Sequence, residues 1–232
     1  GENKKLNFNI NNFPKFKNKI IYIVVDDMPT NIKSFKKNWP VHHLRDQHQR
    51  NALSKGFKDC EDDDLIMISD IDEIPNPEKI KEFKIEKKYA CFMQLNFQSK
   101  INLLNMTEKY WMGTKIIQKK NLKSPQWLRN IKTAKPVFWK FYKPRQPQLI
   151  YEGGWHFSFL KKPEGIANKI KSYSHSEYNK LEFTDQKKIK ERIENKIDIF
   201  NRNFEYQRIN LDNIFPKYIL ENMSKYKDWI IE

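Results

Sequence analysis

The hydrophobic positions fall into a few short unbroken runs separated by long polar stretches. Lys19-Ile20-Ile21-Tyr22-Ile23-Val24-Val25-Asp26-Asp27 is rich in β-branched residues and reads as a buried strand. Residues 28–40 form a connection with prolines at 29 and 40, and His43 to Phe57 reads as a helix that closes at Gly56. Leu65 to Ser69 is the next strand. The order strand, helix, strand predicts an α/β domain with a mostly parallel sheet flanked by helices. Further strands are expected at Tyr89 to Phe97, Lys115 to Gln118 and Val137 to Tyr142. Pro163 to Ser172 predicts a helix with proline in its first turn. Thr184 to Phe200 predicts another, capped by Thr184, with Ile189, Ile193 and Ile197 four apart. Pro216 to Tyr226 is the last expected helix, and these C-terminal helices should close over the sheet. No repeat, low-complexity linker or second domain is visible, so residues 1–232 are expected to form one domain.

Composition narrows the classes. The chain of 232 residues is 38% hydrophobic and 14% aromatic, which suits a folded domain with a real core. Its six glycines form neither a P-loop nor a dinucleotide-binding fingerprint. Two cysteines, Cys60 and Cys91, supply neither a disulfide framework nor a cysteine-rich zinc site, and they point to a reducing compartment. No apolar run approaches the ~18 residues of a membrane span, and no signal peptide is seen. The expected location is cytoplasmic, with peripheral membrane association. Residue 1 is Gly rather than Met, which reads as an excised or processed form.

Charge is uneven. The net charge is +15, and residues 114–172 alone carry 14 Lys/Arg against Glu152 and Glu164, a net +12. Residues 59–73 are instead strongly acidic. A basic field beside an acidic metal site suits a polyanion bridged by a cation. Within the acidic stretch, Asp70-Ile71-Asp72 follows the apolar run Leu65 to Ile68. Two carboxylates one residue apart at a strand's end can face one hard cation, Mg2+ or Mn2+, which shares oxygen ligands with substrate phosphates. A solvated turn would carry the same residues.

Other residues suggest chemistry less sharply. Arg50 can fork to a phosphate, and Asn51 can hydrogen-bond a ribose, or both can lock the helix onto the acidic loop. Asp26 and Asp27 suit a turn cap or a donor contact. His42, His43 and His48 read as helix-surface or cap residues. Two other functions fit parts of the chain. Trp127, Trp139, Phe141 and Tyr142 interleave with the basic segment, as in nucleic-acid binders, though no nucleic-acid module accompanies them. A metal-dependent phosphate hydrolase would usually gather more Asp and His ligands for two metals.

Four segments together carry a resemblance. They are Arg45 to Asn51, Ser69-Asp70-Ile71-Asp72-Glu73-Ile74-Pro75, Tyr110-Trp111-Met112-Gly113-Thr114, and Gly153-Gly154-Trp155-His156-Phe157-Ser158 followed by Pro163-Glu164-Gly165-Ile166 and Lys169. In combination they resemble glycosyltransferase family 17 over residues 19 to 178. The resemblance implies a GT-A-type, Rossmann-like fold, a Mn2+ or Mg2+ ion and a UDP-sugar donor. It also implies an inverting transfer, with N-acetylglucosamine as the sugar and a glycan, glycolipid or glycoprotein as acceptor. Members begin with a further strand segment, so the chain is expected to be truncated at its N-terminus relative to the family. Asp70 and Asp72 are the implied metal ligands, joined by His156 or, second, His175. Asp70, Arg50, Asn51 and Trp155 are the implied donor contacts. Trp111 and Trp155 have ring faces suited to stacking on sugars. An inverting transferase needs a general base, for which Glu152 and Glu73 are the candidates, Glu73 equally suiting a role in orienting the Asp70–Asp72 loop.

Overall fold

The computed structural model describes residues 8–29, 41–134, 145–171 and 178–231. The chain divides into two compact units, Gly1–Cys60 and Glu61–Glu232.

In the first unit, 3-10 turns at Ile10–Asn12 and Pro14–Lys19 precede an extended segment and helix α1, Val41–Ala52. The apolar run from Ile20 to Val25 forms no strand: Ile21 is 66% and Val24 40% exposed. Helix α1 continues as a 3-10 turn, Leu53–Phe57, close to the expected span.

Among the described residues the second unit is built on one sheet of eight strands. They are β1 (Leu65–Ile68), β2 (Glu73–Pro75), β3 (Tyr89–Gln98), β4 (Leu103–Asn105), β5 (Tyr110–Gln118), β6 (Gln148–Ile150), β7 (Gly154–Ser158) and β8 (Tyr206–Arg208). The main path runs β1-β5-β3-β4-β8, and every pair along it is antiparallel. β2 also pairs antiparallel with β7. Among the described residues only β6 and β7 run parallel to β3, along its other edge.

The expectation of a GT-A-like, mostly parallel sheet is therefore corrected: the sheet is mainly antiparallel. Two physical facts decide it. The first apolar run, the supposed opening strand of the parallel set, has no sheet partner among the described residues. The connections at residues 99–102 and 106–109 are too short for a parallel crossover, which needs about a dozen residues. The expected strand at Val137 to Tyr142 lies outside the described residues.

Helices are short. They are α2 (Pro125–Asn130), α3 (Pro163–Lys171), α4 (Leu181–Thr184), α5 (Gln186–Glu194) and α6 (Lys217–Glu221), which is followed by a 3-10 turn to Trp229. The long helix expected from Thr184 to Phe200 is only α5, and Thr184 instead ends α4. Asp185 caps α5 through Lys188 N–H, while the Thr184 hydroxyl bonds back to the Lys180 carbonyl. The chain reverses at Lys196 (φ 58°), so Ile197 is exposed while Ile199 and Phe200 are buried. Those two join Ile166 and Ile170 of α3 and Ile189 and Ile193 of α5 in one core. A second core packs Leu95, Phe97, Trp155 and Phe157 of the sheet against Phe215 and Ile219.

Near Leu95 the strands separate two unlike faces, because successive side chains point to opposite sides. Leu95, Leu104 and Trp155 face one way. Asn96, Gln98, Asn105 and His156 face the other, buried yet polar. Burying so many polar groups on one sheet face is costly unless they are hydrogen-bonded or serve a ligand.

Candidate functional site

Strand β1 delivers the chain to a turn at residues 70–73. Glu73 N–H donates to the Asp70 carbonyl at 3.0 Å, and Phe157 N–H on β7 donates to the Asp72 carbonyl at 2.9 Å. Ile71 points fully into solvent. The Asp-x-Asp pair thus sits on a turn fastened to the sheet.

Behind the turn lies Glu73, buried, with both oxygens engaged. Arg129 makes two 2.8 Å bonds to it, one from each Nη, Trp111 Nε1 donates at 2.9 Å, and Asp70 N–H donates at 3.1 Å. The Arg129 guanidinium also donates to Asp70 Oδ2 at 3.0 Å and to the Gly113 carbonyl at 2.8 Å. This two-pronged geometry favours arginine over lysine at the position. Arg129 lies in the last turn of helix α2, which Ser124 caps through Trp127 N–H. The buried Lys115 ammonium holds the end of that helix, donating to the Arg129 and Ile131 carbonyls at 2.6 and 2.5 Å.

In front of the turn, His156 on β7 stacks on Trp111 with ring centroids 4.4 Å apart. Its Nδ1 lies 3.0 Å from Asn96 Oδ1. Asn96 Nδ2 donates to the Glu108 carbonyl at 3.0 Å, so Oδ1 must accept. His156 therefore carries its proton on Nδ1 and presents a bare Nε2 lone pair. That nitrogen lies 3.8 Å from Asp72 Oδ1. Burial, only partly offset by the Asp72 charge, pushes the imidazole down to about 4, so it is neutral near pH 7. The other Asp72 oxygen lies 3.4 Å from the Lys169 ammonium of α3, which also rests 4.5 Å over the Phe159 ring.

These groups line a cleft of about 400 Å3 on the polar sheet face, together with Glu108, Tyr178, Arg202 and Tyr206. Arg202 is fixed there by the buried Asp198, to which it donates at 3.0 Å from Nε and 2.8 Å from Nη2. Tyr206 donates to the same carboxylate at 2.9 Å.

The cleft brings together Asp70, Asp72, His156, Trp111 and Lys169 of the residues singled out in the sequence. Glu73 stands behind it, enclosed by donors. Glu152 and Trp155 do not join them. Both line a separate cleft of about 1210 Å3, and Trp155 Nε1 donates to the Ile214 carbonyl. Glu152 adopts φ 53° in the turn before β7. Gly154 follows with φ 135°, where an added Cβ would collide with the Ile74 carbonyl. Arg50 and Asn51 lie on α1 in the first unit. His48 pairs with Asp27 at 3.0 Å, and His43 is exposed. His175 and the His42 side chain lie outside the described residues.

Sequence reasoning missed Arg129, Asn96 and Arg202. Arg129 was one more cation in a basic stretch, and only the Ser124-Pro125 helix start marked it. Asn96 left a better signal: Gln94, Asn96 and Gln98 are polar at every second position of an apolar strand.

No three His, Cys, Asp or Glu side chains among the described residues converge as a metal cage. The donor set nevertheless fits a hard divalent cation held in part by substrate. Asp72 offers a carboxylate and His156 a lone pair of fixed tautomer, and Mg2+ or Mn2+ commonly completes its shell with substrate phosphates. Asp70 is drawn toward Arg129. The Cys91 thiol, pushed up to about 11 by burial, is no nucleophile.

No curated protein and no solved structure gives a significant match to the chain. The family model for glycosyltransferase family 17 matches residues 1–229. With nearly the whole length covered, the chain belongs to glycosyltransferase family 17.

Proposed function

We propose a specific reaction within the glycosyl transfer, from a sugar donor to an acceptor, that family membership implies: the protein is a metal-dependent inverting transferase that moves N-acetylglucosamine from its UDP-sugar to a glycan acceptor. The observation that carries this reading is the convergence of Asp72, His156 and Lys169 on one polar cleft. Asp72 and His156 would hold Mn2+ or Mg2+, which supplies charge neutralisation for a departing diphosphate.

The chain's own residues do the rest. Lys169 and Arg202 present cations to the phosphates from the cleft walls. Glu73 and Arg129 hold the turn that aims Asp72, a role that suits a carboxylate with both oxygens engaged better than proton abstraction does. Trp111 keeps the His156 ring in plane and leaves an edge for a sugar. The nucleic-acid alternative draws less support, since two cations of the basic segment, Lys115 and Arg129, are internal.

Calorimetric titration of UDP with and without Mn2+ tests the proposal. The expected result is binding that requires the metal and is lost in Asp72→Ala with the fold retained. Metal-independent affinity, or affinity unchanged in the variant, would overturn it.

A further inference from the structure

Inverting transfer needs a group to take the acceptor's proton, and neither sequence candidate is placed for it. Glu73 is enclosed by donors. Glu152 lines the larger cleft. Three carboxylates among the described residues line the smaller cleft: Asp70, Asp72 and Glu108. Asp70 is bound by Arg129, and Asp72 lies between Lys169 and His156.

Glu108 differs from both. Its carboxylate pairs with no cation among the described residues, and its side chain is exposed in the cleft, where an acceptor arriving from solvent meets it. Its backbone is nevertheless pinned. Glu108 N–H donates to Asn105 Oδ1 at 2.8 Å, its carbonyl accepts from Asn96 Nδ2 at 3.0 Å, and the next carbonyl, of Lys109, accepts from Asn96 N–H at 3.0 Å. Asn96 is the residue that orients His156. One side chain therefore ties the turn bearing Glu108 to the imidazole beside Asp72.

We propose that Glu108 is the general base, an assignment that rests on the glycosyltransferase reading of this cleft. The acceptor hydroxyl gives its proton to the Glu108 carboxylate as its oxygen bonds to the anomeric carbon. The bond from that carbon to the β-phosphate oxygen breaks, and its electron pair leaves with the nucleoside diphosphate. Nothing is oxidised or reduced, and the proton returns to solvent from the carboxylic acid. A short polar side chain would fix the turn as well as glutamate does. A general base requires the carboxylate itself.

The test uses the whole chain with Mn2+ and UDP-N-acetylglucosamine, water serving as the acceptor, with UDP release and UDP affinity both measured. Glu108→Gln should slow release by about 10²–10⁴-fold, the usual contribution of general base catalysis. UDP affinity and the thermal midpoint should not change. Turnover retained in Glu108→Gln, or lost in Glu152→Gln instead, would overturn the assignment and leave the family reading intact. Loss of UDP affinity together with turnover would make Glu108 a donor-binding group and equally overturn it. A wild-type chain that neither binds UDP nor releases it would overturn the proposed donor and metal, and Glu108 with them.

Discussion

Asn96 donates its amide to the Glu108 carbonyl, so only its oxygen faces His156. That single orientation decides which imidazole nitrogen is bare. Outer partners of this kind typically contribute 10- to 100-fold to metal affinity. Asn96→Ala is accordingly expected to weaken Mn2+ binding by about 10–100-fold, read by calorimetry with the metal alone. Unchanged affinity would remove His156 as a ligand. The pair behind the turn makes a different demand. Arg129 is 10% and Glu73 1% exposed at the side chain, so solvent screens little of their attraction. Removing one partner of a buried pair leaves the other uncompensated, at about 3–5 kcal/mol. Arg129→Met should therefore destabilise by about 3 kcal/mol in urea unfolding, and Arg129→Met with Glu73→Gln should recover part of the loss. Equal stability of the single and double variants would contradict the coupling.

Among the elements, the segment after α5 holds the far wall of the cleft through one buried carboxylate. Asp198 accepts from Phe200 N–H, Arg202 N–H, the Arg202 guanidinium and the Tyr206 hydroxyl. Burial works against its ionisation, yet the bonds from Arg202 outweigh it and hold the carboxyl below its ordinary 3.8. The unfolded chain thus takes up this proton at a higher pH than the native one. The stabilisation is complete above the unfolded value and is lost as pH falls through the depressed native one. Wild-type stability should drop more steeply than that of Asp198→Asn as pH is lowered from about 5 to about 2 in urea titrations, and parallel slopes would contradict it. Such a clamp was not legible in the sequence, because Asp198 looked like one more helix residue. Strand β1, helix α3 and the extent of β3 were legible, since apolar runs and a proline at the first turn mark them locally. The pairing of strands was not. An apolar run announces burial, while its direction depends on connections elsewhere, and the 3-residue strands β2, β4 and β8 carry too few positions to show a period. The Asp70–Asp72 pair was singled out by its two carboxylates and His156 by the motif around it, and the structure brings all three to one cleft. Arg129 and Asn96 act through partners remote in sequence and carry no such mark.

At the scale of the whole molecule, the burial is concentrated in one part of the chain. Among the described residues the core clusters lie in Glu61–Glu232, as do the residues lining the polar cleft. In the first unit no described residue is buried, and its helix α1 carries three histidines and two arginines along with few apolar residues. Hydrophobic burial is the main favourable term in folding, so cooperative stability should follow the unit that holds it. A chain of residues 61–232 alone is therefore expected to unfold in one cooperative transition and to keep the near-ultraviolet signal of Trp111 stacked on His156. It should also bind Mn2+ through Asp72 and His156, whose fixing partners Asn96, Arg129 and Glu73 all travel with it. Its UDP affinity is a separate measurement, because Arg50 and Asn51, expected to contact the donor, are absent from that chain. A gradual, non-cooperative unfolding curve would show instead that the second unit does not stand on its own core.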